Sequence, residues 1–468
     1  MVSERKPRRS YVEANPRGLT VALVLLAVAY VAAFAYAMNH TTYDIWGALL
    51  LAPILIVISV PILLRFAKAD SNPSIGPILV MALILKLAAS IPRYYMIASI
   101  YETGDALRYS QAGIALRPKF LQLDLSAANF GEGGSGTGTR FVEVVTGIIY
   151  AIAGPSIVGG FLVFSWLSFW GLFFFYRAFR VGVPDGDAKR YALLLFFLPS
   201  MLFWPSSIGK EAWMTLVIGI ASYGCALLLV RQRGASIYLA VGMAGVLAVR
   251  PHMALLVIAG LGFGYILRER SAQRVVALGK LRTLFGLAAI GVGTLLVIRR
   301  VSEFFGIDEF NLDTATETLN YAGGQSSQGG SEFDSGGASL RNLPVNVITV
   351  LFRPFAFEVS NLQALLAALE GTFLMMLFVL SIPRLKGIPR RLRKQPYIAY
   401  CVTYVVLFCF IFSVFQNFGI LARQRVLVFP LVLVLLALPV VASESRRSRG
   451  RRAIRRRPIT HYAAAAQD

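Results

Sequence analysis

Four short polar motifs interrupt long apolar runs in this chain. They are Pro199-Ser200 followed by Trp204-Pro205-Ser206-Ser207-Ile208-Gly209-Lys210-Glu211, then Val249-Arg250-Pro251-His252, Leu351-Phe352-Arg353-Pro354, and Asn417-Phe418-Gly419 with Arg423-Gln424-Arg425. A charge in or beside hydrocarbon is costly, so it persists where it faces a protein cavity and has work to do. Lys210 and Glu211 follow two prolines that break the preceding helix. This sets a cation at the start of the next helix, where unpaired backbone N–H groups also favour an anion such as phosphate, with Ser206 and Ser207 offering capping hydroxyls. Arg250 stands at a second break; its planar fork can hold a phosphate through two hydrogen bonds, and His252 beside it could bond the same anion or shuttle a proton. Arg423 and Arg425 add two more cations, and Arg93 and Lys86 lie within an earlier apolar run.

The acid that could act on a hydroxyl is Asp105, in Gly104-Asp105-Ala106-Leu107-Arg108-Tyr109, with Glu102 just before it. Its carboxylate could serve as a general base, or hold a divalent ion that bridges a phosphate. Each feature also has a plain structural reading. Asp105 could cap a helix, Lys210 and Glu211 could simply pair, and a lone histidine beside an arginine is commonly structural. Arg353 and Glu358 close a long polar segment and stand as accessory candidates.

The elements that must position these residues follow from composition. With 56% hydrophobic and 15% charged residues over 468 positions, the chain lacks the polar surface of a soluble globule. An all-α polytopic transmembrane bundle is expected. The formal charge of +22 lies between apolar spans and at the ends, where it sets orientation and meets anionic lipid, so nucleic acid is not the expected partner. Cys225, Cys401 and Cys409 sit in apolar runs, and His40, His252 and His461 are too few for a histidine-built metal centre.

Apolar runs at 19–37, 46–64, 75–97, 156–177, 190–204, 211–230, 237–249, 253–267, 283–298, 361–382, 397–415 and 426–442 predict about twelve spans. Arg5-Lys6-Pro7-Arg8-Arg9 before the first run has the look of a signal sequence, with Ala35-Tyr36-Ala37 as a small-x-small site, but an uncleaved first span is expected because further spans follow at once. Basic clusters such as Arg177/Arg180/Lys189/Arg190 and Arg384/Lys386/Arg390/Arg391 then fall on one side, which the positive-inside rule makes cytoplasmic. The basic segment 1–18 and the Arg-rich tail 443–468 would both lie inside, flanking a membrane domain at 19–442. Segments 98–140 and 299–360 would be long extracytoplasmic loops, and the stretch 141–153 a re-entrant one. All four polar motifs then fall at the outer side. Roughly five to seven cations converge where few are expected, and a lipid phosphate or pyrophosphate is their natural partner.

The Gly104-Asp105 motif, Gly147-Ile148-Ile149-Tyr150 with Gly154-Pro155-Ser156, and the Pro199-Ser200 and Arg250-Pro251 breaks together resemble the bacterial polytopic glycosyltransferases of the type C fold. Phe203-Trp204 with Ser207-Ile208-Gly209-Lys210-Glu211, Arg353-Pro354-Phe355 and Asn417-Phe418-Gly419 with Arg423 resemble membrane proteins of polysaccharide assembly, O-antigen polymerases included. The resemblance implies sugar transfer from a polyprenyl-linked donor to a glycan or lipid acceptor, at the outer face of a bacterial inner membrane. In it Asp105 is the catalytic base, while Lys210, Arg250, Arg423 and Arg425 hold the phosphate. The chain departs from the type C pattern in having three spans before Asp105 rather than one, no soluble carboxy-terminal domain and no paired-acid signature. A transporter or flippase of the same lipid-linked sugars would use an identical cation cluster without chemistry.

Overall fold

A computed structural model describes residues 16–128 apart from 71 and 73, then 137–269, 276–305 and 340–440 apart from 360, with isolated positions 317 and 324. The basic amino end, the Gly/Ser-rich stretch 131–138 up to position 136, nearly all of 306–339 and the Arg-rich tail therefore lie outside the described residues. Those described are helical, with no β-strand. The main helices are α1 (Pro16–His40), α2 (Tyr43–Ala69), α3 (Ile75–Tyr101), α4 (Asp105–Leu121), α5 (Thr137–Ala153), α6 (Ile157–Gly182), α7 (Ala188–Phe197), α8 (Pro199–Phe203) and α9 (Lys210–Leu229). They continue as α10 (Ala235–Val249), α11 (Pro251–Leu267), α12 (Val276–Phe305), α13 (Leu343–Phe352), α14 (Leu362–Leu380), α15 (Pro396–Phe412), α16 (Phe418–Leu427) and α17 (Phe429–Leu436).

Each of the twelve apolar runs contains helix, yet fewer helices meet the length and apolarity of a membrane crossing. Among the described residues five do, α2, α3, α6, α9 and α14, and up to seven if two bent pairs each count as one span. Proline explains much of the shortfall. Leu198, forced out of helical conformation by Pro199, separates α7 from α8, and Arg250 does the same between α10 and α11. A bend of 63° separates α16 from α17, which has Pro430 in its first turn.

Helix α9 is the core of the bundle, packed between α6 and α10. Gly171 on α6 and Gly219 on α9 allow the closest approach: a β-carbon on Gly219 would stand 2.3 Å from the Gly171 carbonyl oxygen, and one on Gly171 2.3 Å from that of Thr215. Gly242 of α10 is similarly pressed against the Ala221 backbone. Small residues at such crossings let helices touch through their backbones, where dispersion contacts are dense.

The kink that carries the first polar motif is also built from proline chemistry. Pro205 has no N–H to give the Met201 carbonyl four residues earlier. The buried Lys86 of α3 supplies the donor, its Nζ lying 2.6 Å from the Met201 oxygen and 3.1 Å from that of Leu202. At the other end of α8, the free N–H of Ser200 donates to Glu370 on α14 at 2.8 Å. Lys86 and Glu370 thus serve the broken helix.

Candidate functional site

Six chain segments line one cavity of about 400 Å³. Its walls come from the end of α3 (Arg93, Tyr101), the start of α4 (Gly104, Asp105, Tyr109), the turn into α9 (Trp204 to Glu211), the α10–α11 junction (Arg250) and the start of α16 (Asn417, Gly419, Arg423), with Gln363 of α14. Three of the four polar motifs and the Asp105 motif meet here. The opposite helix ends carry a separate set of ion pairs, Arg180 with Asp70 at 3.1 Å and Arg391 with Asp185 at 2.8 Å.

Gly104 turns the chain into α4 with φ of +134°, a conformation that favours glycine. Asp105 is the first residue of that helix, but its side chain does not cap it. Its carboxylate bonds Arg108 and lies 3.8 Å from Arg423, and the side chain stays 43% exposed to the cavity. Glu211, by contrast, is buried. One of its oxygens accepts from Arg250 at 2.9 Å and lies 3.3 Å from Nε of Arg423. Arg250 also donates to Gln424. Asp105, Arg423, Glu211 and Arg250 therefore form a chain of alternating charge. Lys210, next to Glu211 at the start of α9, donates to the Thr139 hydroxyl at 2.9 Å. Tyr109 is buried beneath Asp105, and that burial, with Asp105 and Glu211 adding, pushes its phenol up to about 12. It keeps its proton at neutral pH.

Arg93 has the most unusual surroundings. It is 8% exposed, its guanidinium carbon lies 4.9 Å from the ring centres of both Phe203 and Trp204, and its Nε has no hydrogen-bond partner. Aromatic faces stabilise a cation but accept no strong hydrogen bond, so its donors remain available on the cavity wall.

Other candidates stand elsewhere. Arg425 does not line the cavity: two residues after Arg423, it projects about 200° away around the helix. It donates to the Leu351 carbonyl at 3.1 Å and packs over Phe429. Arg353 and Glu358 also lie off the cavity; they bond each other, and Arg353 covers Phe418 at the start of α16. Burial opposes ionisation of Glu358, but hydrogen bonds from Arg353 and from the Phe355 N–H hold its carboxyl below the usual range. His252 is partly buried behind Arg250 and Glu102 is exposed beside the rim; neither lines the cavity. Ser206 and Ser207 do not cap α9, whose N-cap is Gly209; Ser206 instead donates to the Leu202 carbonyl.

The segment expected to re-enter the membrane is a complete 17-residue helix, α5, paired with α4. Gly113 and Gly147 lie at that contact, and Ser110 bonds Tyr150 at 2.7 Å. Gly138 lets its first turn press on the Val249 carbonyl, which brings Thr139 to Lys210. Thr139, Tyr101 and Gln363 escaped the sequence reading because neutral polar residues at helix ends are common. As for a divalent cation, among the described residues no group of three or more His, Cys, Asp and Glu comes together to hold one. Asp105 and Glu211, the two acids of the cavity, both face arginines.

In comparisons with protein-family profiles, curated proteins and solved structures, the chain matches none.

Proposed function

We propose that this chain is a multi-pass membrane glycosyltransferase that uses a polyprenyl-linked sugar donor at the extracytoplasmic face of a bacterial inner membrane, in assembly of a cell-surface polysaccharide or glycolipid. The observation that carries the reading is the cavity at the helix ends where Arg93, Lys210, Arg250 and Arg423 line the same space as one partly exposed carboxylate, Asp105. Cations from separate helices suit a phosphate that gains charge as a leaving group, because fixed donors aimed at developing charge need no reorganisation. Asp105 accepts the proton of the acceptor hydroxyl as that oxygen attacks the anomeric carbon. The bond from carbon to phosphate oxygen breaks, and its electron pair leaves with the lipid phosphate into the arginines and lysine. Glu211 holds Arg250 and Arg423 in register and takes no proton.

Purified protein in lipid nanodiscs, given a polyprenyl-linked labelled sugar and an acceptor, is expected to form a new glycosidic bond. Movement of the intact lipid-linked sugar between leaflets with no new bond would replace the enzyme with a transporter.

A further inference from the structure

The charges of the cavity do not cancel. Arg250 and Arg423 share Glu211, and Asp105 is shared by Arg423 and the exposed Arg108. Arg93 and Lys210 have no carboxylate within ion-pairing distance among the described residues. Arg93 meets only the faces of Phe203 and Trp204, and Lys210 donates to the neutral hydroxyl of Thr139. They come from different walls, α3 and the start of α9, and both line the same space. Leaving a buried arginine and a half-buried lysine with so few acceptors is unfavourable unless an anion supplies them.

We propose that Arg93 and Lys210 recognise a diphosphate diester, with one negative charge on each of two linked phosphates, in preference to a single phosphodiester. The inference rests on the proposed function for the lipid carrier, but the recognition itself needs only the two unmatched cations. A sugar joined through diphosphate to a lipid and one joined through diphosphate to a nucleoside share this chemistry.

Full-length protein in nanodiscs would be titrated with glucosyl farnesyl diphosphate, glucosyl farnesyl phosphate and UDP-glucose. The farnesyl diphosphate ester is expected to bind about tenfold tighter than the monophosphate ester, one charge-assisted contact apart. Arg93→Gln and Lys210→Gln should each remove most of that difference, and Arg93→Lys should keep part of it and serves if the glutamine variant does not fold. Equal affinity of the wild-type protein for the two farnesyl probes would overturn the inference and leave the lipid-linked donor standing. Tight binding of UDP-glucose with no binding of either farnesyl probe would uphold diphosphate recognition and remove the lipid carrier. Failure of all three to bind would overturn both.

Discussion

At the scale of single residues, the central object is Glu211, a buried carboxylate that serves two arginines. Removing it leaves both cations without their shared acceptor, so Glu211→Ala is expected to destabilise the protein by about 3–5 kcal/mol. Thermal unfolding of the purified variant checks this, with Glu211→Gln expected to lose less because it keeps an acceptor oxygen. Arg250→Ala should weaken donor binding by about 1.5–3 kcal/mol, since it removes a charge-assisted contact. Arg425→Ala is expected to behave differently. Its guanidinium holds the Leu351 carbonyl away from the cavity, so melting temperature should fall while donor affinity is kept. Affinity measured on the folded fraction of both variants separates the roles. The sequence made Arg423 and Arg425 look alike, because a two-residue spacing says nothing of direction until the helix phase is known.

At the scale of elements, the site depends on how closely α9 sits between α6 and α10. Gly219→Val would place a branched side chain where the Gly171 carbonyl already fills the space, and about 1–3 kcal/mol of stability should be lost as the helices separate. A matching loss of donor binding would show that the crossing also holds Lys210 and Glu211 in place. Proline made much of this level legible: the breaks at Leu198 and Arg250 follow from Pro199 and Pro251, whose effect on the preceding residue is local. The pairing of α4 with α5 was not legible. Its contacts, Gly113 with Thr146 and Ser110 with Tyr150, join residues more than thirty apart through small and neutral side chains that no periodicity marks. The service of Lys86 to the Met201 carbonyl was hidden for the same reason, since its partner is backbone.

At the scale of the whole molecule, the apolar runs and the gathering of charges at one end could be read from composition and alternation alone. Which helices cross completely could not, because crossing depends on length after each break and not on hydropathy of the run. The orientation is testable on its own. A cysteine replacing exposed Leu123, after α4, should react with an impermeant maleimide in intact spheroplasts, and one replacing Gln232, between α9 and α10, only after permeabilisation. The reverse pattern would place the cavity on the cytoplasmic side and remove the extracytoplasmic reaction.

The proposal that the cavity performs chemistry turns on the carboxylate of Asp105, the acid in it that remains partly open to a substrate. Asp105→Asn keeps the shape but removes the proton acceptor. With the variant in nanodiscs and a polyprenyl-linked sugar as donor, donor affinity should stay near wild type while the rate of glycosidic-bond formation falls about a hundredfold or more. Product formation by Asp105→Asn at the wild-type rate would contradict the account.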